Sequence, residues 1–203
     1  HLTQGNTNFN ILLSVCASQF NLTPETGQRI LVEVNGQTYL LGVPSAFEIG
    51  LNHCRWIYLQ GDICFQVRTW TSRRSPQVFM DFKVLNGNPV NLLITHQFDP
   101  LNRWKVFPGS HQGEYFAHPD PGTMIMEKFP SARFSLHVHS DHTNLATGGD
   151  EILYGDQKSR GDHLFILDVK ETKAFCMSIT GEVISKIDPV RVGDPDARWL
   201  SDY

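Results

Sequence analysis

The chain has 203 residues and a formal net charge of -4, with 40% hydrophobic and 19% charged residues. This length suits a single β domain over residues 1–203, which buries enough surface to fold without covalent cross-links. The acidic balance gives the whole chain no attraction to nucleic acid, so we expect no nucleic-acid partner.

Alternating apolar and polar runs predict strands from the first third of the chain onward. Arg29–Val34 and Gln37–Val43 flank Asn35-Gly36, which favours a two-residue hairpin because both turn residues accept positive φ. Two further hairpins are predicted around Gly61-Asp62 and Asn86-Gly87. Their strands are Trp56–Leu59 with Ile63–Trp70, and Gln77–Val84 with Val90–Thr95.

The C-terminal half continues the strand pattern. Its predicted strands are Thr123–Phe129, Ala132–Val138, His163–Val169, Ala174–Ile179 and Glu182–Ile187. Between the strand runs, the polar segments Asp99–Pro121 and Ser140–Asp162 are predicted as long loops, which are often functional or mobile.

Two short helices are predicted, at Asn8–Cys16 and Ser45–Cys54. In the second, Ser45 would cap the first turn and Glu48 would complete a capping box. Consecutive antiparallel hairpins must also protect their sheet edges. We therefore predict an all-β fold that closes into a barrel, with a β-sandwich as the alternative and one or two short helices.

The run His137-Val138-His139-Ser140-Asp141-His142 matches in its letters the HxHxDH motif of metallo-β-lactamase-fold hydrolases. Such residues would hold zinc and activate a bridging water. In that family the motif comes early in a βα chain, whereas here it follows predicted hairpins. A metal-dependent hydrolase using His137, His139, Asp141 and His142 is therefore an alternative, and we expect a non-enzymatic protein.

Two other groups of charged residues predict ligand-binding sites. Arg68, Arg73 and Arg74 form a basic cluster that would meet phospholipid headgroups, with a solvated hairpin turn as the simpler interpretation. Asp194 and Asp196 near the C-terminus would converge on calcium, a hard cation that prefers carboxylate oxygens, with a frayed tail as the simpler interpretation.

Cysteine spacing leaves the redox compartment open. The four cysteines do not have the spacing of a zinc finger or ribbon. They would form two disulfides in a secreted protein or remain thiols in the cytosol. The four are Cys16, Cys54, Cys64 and Cys176.

Several segments in order resemble the phospholipid scramblase domain of the Tubby-like barrel class. Gly36–Leu40 (GQTYL) resembles the early hairpin of that family, and Phe79–Val90 (FMDFKVLNGNPV) resembles its central strand pair. Ala117–Phe134 resembles the segment that follows, and Gly161–Ile187 resembles the closing strands. Asp194-Pro195-Asp196 falls where the family has a segment proposed to bind calcium.

The resemblance implies a ligand-holding or membrane-surface-associated barrel, calcium binding and a phospholipid partner at the cytoplasmic face of a membrane. A different hypothesis follows from the aromatic content, the even number of cysteines and the sequon Asn21-Leu22-Thr23. It is a secreted β-sandwich that binds a glycan or a protein partner. The sequence leaves both hypotheses open.

Overall fold

The computed structural model describes residues 27–72, 74–98, 104–140 and 144–182. These residues form thirteen strands, one short α-helix and a 3-10 turn at Asp150–Leu153. The elements in chain order are β1 (Gly27–Val34), β2 (Gln37–Leu40), β3 (Ala46–Ile49), β4 (His53–Gln60), β5 (Ile63–Thr71), β6 (Gln77–Asn86), β7 (Val90–Gln97), β8 (Trp104–Pro108), β9 (Glu114–Pro119), α1 (Met124–Lys128), β10 (Arg133–Val138), β11 (Leu145–Gly148), β12 (Phe165–Thr172) and β13 (Ala174–Glu182).

The strands lie in two antiparallel sheets. One has the order β11-β12-β7-β1-β2, and the other has the order β3-β4-β5-β6-β13-β10-β9-β8. The predicted all-β class is confirmed. The described strands form two open sheets, which the β-sandwich alternative requires, and they do not close into a barrel.

The described residues cluster in two compact units. The first unit has the described residues 27–43, 89–98, 104 and 144–172 and contains the five-stranded sheet. The second unit has the described residues 44–72, 74–88, 105–140 and 173–182 and contains the eight-stranded sheet except Trp104. A single domain over residues 1–203 stays a prediction. Within the described residues, no helix is both long enough and apolar enough to cross a membrane.

In the five-stranded sheet, the period-two pattern of β1 buries every second residue. Ile30 and Val32 pair with Ile94 and Leu92 of β7, and all four side chains are almost wholly buried. These aliphatic side chains are the core of the first unit, and their burial fixes the register because a one-residue slip would expose them all.

A polar pair lies at the end of this apolar row. Gln28 Nε2 donates a hydrogen bond to His96 Nε2 at 3.0 Å, and both residues are buried. The rings of Phe98 and Phe165 lie against the imidazole, with centroids 6.1 Å from it. Burial lowers the pKa of His96 to about 4, although hydrogen bonding with the Phe165 backbone opposes the shift.

In the eight-stranded sheet, each central strand is buried on both faces. On one face the paired residues are apolar, as in Met80 with Met177 and Phe82 with Phe175, and all are buried. We call this the apolar face. The side chains of the intervening residues lie on the opposite face and are mostly polar or aromatic; we call it the polar face.

Two predicted hairpins form as expected, and a third does not. The β1–β2 turn holds Asn35 and Gly36 at φ 53° and 75°, and β4 pairs with β5 across Gly61. Although β6 and β7 are both strands, they lie in different sheets and do not pair. Gly87 has φ 117° in the turn between them, so a glycine at positive φ does not by itself make the flanking strands pair.

Two predicted elements are of the wrong type. Thr123–Phe129 contains α1, because the Thr123 Oγ1 accepts a hydrogen bond from the Met126 N–H at 3.3 Å and caps the first turn. Ser45–Cys54 contains β3 and the start of β4 and no helix. The Ser45 Oγ accepts a hydrogen bond from the Leu59 N–H at 3.0 Å, so it does not cap a helix.

Other predictions have mixed outcomes. The segment Asp99–Pro121 contains β8 and β9, and Ser140–Asp162 contains β11, so neither is wholly a loop. The predicted helix Asn8–Cys16 lies outside the described residues, and so does most of the predicted strand Glu182–Ile187.

The first prediction concerns the β1–β2 turn. Gly36→Ala should lower the free energy of unfolding by about 1 kcal/mol, because positive φ strains any residue with a Cβ atom. No heavy atom lies within 4 Å of the added Cβ, so the cost is purely conformational. Gly155→Ala is the control, since that site is equally open and its φ is not in the left-handed range. Urea unfolding that gave equal midpoints for the two variants would contradict this account.

The second prediction concerns His96. Its pKa is about 4 in the folded state and about 6.5 in the unfolded state, so only the unfolded state gains a proton between these values. The free energy of unfolding should therefore fall as the pH drops through this window, by about 2 kcal/mol between pH 7.5 and pH 5. His96→Gln removes the titrating group. Urea unfolding at several pH values gives the free energy of unfolding of wild type and variant. The difference between the two free energies should change with pH as calculated above. A difference that stays constant with pH would refute the prediction.

Candidate functional site

The polar face is held together by rows of side chains that cross adjacent strands. Trp70 of β5 pairs with Phe79 of β6, which pairs with Ser178 of β13, which in turn pairs with His137 of β10. Because partners in a ladder project to the same face, these four side chains form one row. The Trp70 and Phe79 rings stack with centroids 5.2 Å apart and planes 7° apart.

Ser178 is the hydrogen-bonding centre of this row. Its Oγ accepts a bond from Gln77 Nε2 at 3.2 Å and lies 2.8 Å from His139 Nε2. A serine beside a histidine is the arrangement of an activated nucleophile. Here Ser178 is 0% exposed, so its hydroxyl does not reach a substrate. The group satisfies buried polar atoms and fixes the neighbouring strands.

An ion pair lies beside this row. The Arg68 Nε donates to Asp81 Oδ1 at 3.1 Å and the Arg68 Nη2 donates to Asp81 Oδ2 at 2.6 Å. The two side chains are only 13% and 16% exposed. The Arg68 guanidinium also lies 6.0 Å from the centroid of the Trp70 ring. This bidentate pair rigidifies the β5–β6 ladder.

A second ion pair lies at the β3 edge of the sheet. Arg55 Nη2 donates to Glu48 Oε2, and His53 Nε2 lies 3.5 Å from Glu48 Oε1. The hydrogen bond from Arg55 holds the pKa of the Glu48 carboxyl below its usual range. The Glu48 side chain is 48% exposed, so solvent screens this pair far more than the Arg68–Asp81 pair.

The opposite end of the polar face carries a third ion pair with aromatic neighbours. Arg133 Nε donates to Glu182 Oε2, and the Ser135 hydroxyl donates to Glu182 Oε1 at 2.6 Å. The Arg133 guanidinium carbon lies 4.3 Å from the centroid of the Phe116 ring. We call this group the Arg133 cluster; it consists of Phe107, Phe116, His118, Arg133, Ser135 and Glu182.

The described cysteines Cys54, Cys64 and Cys176 are free thiols. Burial raises the pKa of the Cys176 thiol to about 12, with a further contribution from the nearby Asp81 carboxylate. The Cys176 sulfur therefore stays protonated and unreactive at neutral pH. Cys16 lies outside the described residues.

The predicted transition-metal residues are only partly described. The His137 and His139 rings lie 6.4 Å apart between centroids, and His139 is hydrogen-bonded to Ser178. Asp141 and His142 lie outside the described residues. Among the residues that the structure describes, no group of three or more His, Cys, Asp or Glu side chains is placed to hold a metal ion. The zinc site stays a prediction.

The residues predicted to bind headgroups and calcium do not form a described site. Arg68 is bound to Asp81, whereas Arg74 is exposed in the bend after β5. Arg73, Asp194 and Asp196 lie outside the described residues, so the calcium site stays a prediction. The basic cluster is therefore not confirmed as one surface.

Comparison with protein families shows which family the chain belongs to. The family model of the glycoside phosphorylase supersandwich domain matches residues 1–181. The chain belongs to this family. The match covers both described sheets except Glu182 at the end of β13, so the polar face is part of a supersandwich domain.

A curated relative and a solved structure add detail. The supersandwich domain is 28% identical over 142 residues to a 1,2-beta-oligoglucan phosphorylase of Listeria innocua serovar 6a. The match covers 66% of this chain but only 13% of that phosphorylase. A solved polysaccharide lyase aligns with 78% of this chain and 26% of its own, with TM-score 0.45 and 12% identity.

The resemblance to phospholipid scramblases is wrong. The family match and the phosphorylase relative both connect the supersandwich domain with carbohydrate, so the predicted lipid-binding function and phospholipid partner are also wrong. Turns such as Asn35-Gly36 recur in many antiparallel folds, so matching hairpins in the same order did not identify the family. The glycan part of the β-sandwich alternative agrees better with these relatives.

The third prediction compares two ion pairs of the polar face. Asp81→Asn should lower the free energy of unfolding by about 2 kcal/mol, because it leaves a largely buried guanidinium without its carboxylate. Glu48→Gln breaks an exposed pair of the same type, which solvent screens, and should cost much less than Asp81→Asn. Urea unfolding measures both values. Equal losses would show that burial does not govern the strength of these pairs.

Proposed function

We propose that this supersandwich domain is the part of a glycoside phosphorylase that contacts a β-linked glucan. The observation that carries the proposal is the family match over residues 1–181. The relative named as a 1,2-beta-oligoglucan phosphorylase supports glucose residues joined by β-1,2 linkages as the ligand.

The polar face supports this proposal through its chemistry. A sugar ring offers an apolar C–H surface that packs on aromatic rings, and hydroxyls that donate and accept hydrogen bonds. The polar face combines rings such as Phe116 with fixed guanidinium and carboxylate groups such as Arg133 and Glu182. Such a surface suits a polar, uncharged ligand.

We assign cleavage of the glycosidic bond to other parts of the phosphorylase. Transfer of a glycosyl group to phosphate requires an acid that protonates the leaving oxygen. In the described part of the polar face, Glu48, Asp81 and Glu182 are each ion-paired with an arginine, so these three carboxylates are already engaged in contacts within the sheet. The chain spans 13% of the length of its phosphorylase relative, so the proposed role is substrate contact.

The fourth prediction tests the proposed function. Titration calorimetry of the 203-residue chain with β-1,2-linked glucan oligosaccharides should give a saturable heat with a dissociation constant near or below about 1 mM, or about -4 kcal/mol. Oligosaccharides of glucose with α-1,4 linkages are the control and should bind more weakly. Absence of a heat with β-1,2-linked glucan at concentrations several times higher would refute the proposal.

A further inference from the structure

An aromatic row lies at the β8 edge of the polar face, with Phe107 exposed and Phe116 and His118 half-buried. Phe107 on the edge strand β8 is 50% exposed, and its ring centroid lies 6.1 Å from that of His118 on β9. The His118 ring lies 6.5 Å from the Phe116 ring, which in turn contacts the Arg133 guanidinium at 4.3 Å. The row therefore runs from β8 across β9 to β10 and ends at a charged group.

The polar end of this row has a fixed geometry and unused hydrogen-bonding capacity. Arg133 donates to Glu182 through Nε, and a guanidinium carries four more N–H donors on its two Nη atoms. Each Glu182 oxygen accepts one described bond, from Ser135 or from Arg133, and a carboxylate oxygen has a second lone pair. Donors and acceptors thus lie side by side, as neighbouring hydroxyls on a sugar ring require.

The charges in this region are balanced. Arg133 is paired with Glu182, and Lys105 of β8 lies 3.5 Å from the carboxylate of Asp120. A phosphate or a lipid headgroup would have to compete with these carboxylates for the cations. A neutral ligand rich in hydroxyls keeps both ion pairs and adds hydrogen bonds to them. The surface therefore favours a neutral saccharide over an anion.

The length of the row favours more than one sugar residue. Phe107 and Arg133 lie two strands apart in the sheet, which corresponds to about 10 Å. A pyranose ring is about as wide as a phenyl ring, so one sugar does not reach both ends. Two consecutive residues of an oligosaccharide do.

We propose that the Arg133 cluster is a subsite for two adjacent glucose residues of a β-linked oligoglucan. One ring packs on Phe107 beside His118, and the neighbouring hydroxyls of the next ring bind Arg133 and Glu182. The proposal rests on the proposed function and specifies where on the domain the glucan is held. The rest of the polar face contributes rigidity, since Trp70 and Phe79 are at most 5% exposed.

The opposite edge of the same sheet supplies matched controls. Phe47 lies on the edge strand β3 and is 45% exposed, close to the value for Phe107. Its ring packs on Trp56, which belongs to the apolar face, with centroids 5.4 Å apart. Arg55 pairs with Glu48 as Arg133 pairs with Glu182. Substitutions at Phe47 and Arg55 therefore make the same chemical changes away from the proposed subsite.

The fifth prediction is made for the 203-residue chain titrated with β-1,2-linked glucan oligosaccharides. Phe107→Ala should raise the dissociation constant about fivefold, because it removes the exposed stacking surface. Arg133→Lys keeps the charge but loses the planar fork, and should raise the constant about tenfold. Phe47→Ala and Arg55→Lys should stay within about twofold of wild type. Urea unfolding of each variant checks that it is folded.

A second measurement uses the unsubstituted chain. The N–H resonance of Arg133 Nε, assigned by its loss in Arg133→Lys, should shift on addition of the glucan and stay unchanged on addition of inorganic phosphate. Wild-type binding with losses confined to Phe107 and Arg133 supports the subsite. Binding that is unaffected by these two variants, or a shift with phosphate alone, overturns the subsite and leaves the proposed function intact. No glucan binding by wild type overturns both.

Discussion

The antiparallel pairing of β13 with β6 is the constraint on which the eight-stranded sheet depends. On one side of this junction, β3 to β6 follow one another along the chain; on the other side the order is β13, β10, β9 and β8. The junction joins residues far apart in sequence, as in the bond between Gln77 and Ser178, which are 101 positions apart. Without this pairing the sheet would separate into two pieces of four strands.

The register of the junction determines both faces at once. Met80 opposite Met177 puts apolar side chains on one face, and Phe79 opposite Ser178 puts aromatic and polar side chains on the other. A shift of β13 by one residue would bring Ser178 to the apolar face and leave Gln77 on the other face without its partner, at a cost of about 1–3 kcal/mol for each unsatisfied group. The buried hydrogen bonds of Ser178 therefore help to specify the register.

The polar face contributes both to the stability of the sheet and to the proposed function. Its central part is buried, and Ser178 and Arg68 are hydrogen-bonded within it, whereas the Arg133 cluster at one end combines exposure with fixed charges. A rigid centre holds the exposed end in one geometry, and preorganised groups lose less entropy when they bind a ligand. The glucan that we propose as the ligand is chemically matched to that surface.

The sequence by itself determined the all-β class and two of the three predicted hairpins. Asn35-Gly36 and Gly61-Asp62 predict their turns correctly, because turn geometry depends on a few neighbouring residues. The alternation of Phe47, Ile49 and Leu51 also contained the signal for β3, although the capping residue Ser45 suggested a helix. The predicted strand Ala132–Val138 corresponds to β10, and its alternation puts Arg133, Ser135 and His137 on one face, but the pattern does not say which strand lies beside them.

Only the tertiary structure decided which distant strands pair and which side chains meet. β6 pairs with β13 and not with β7, because long-range pairing depends on complementary faces and not on the turn between neighbours. For the same reason, the contacts of Arg68 with Asp81 and of Arg133 with Glu182 could not be read from the sequence. The resemblance based on hairpins was wrong because alternation and turn residues are common to antiparallel folds, whereas the surface that binds a ligand is assembled across strands far apart in the chain.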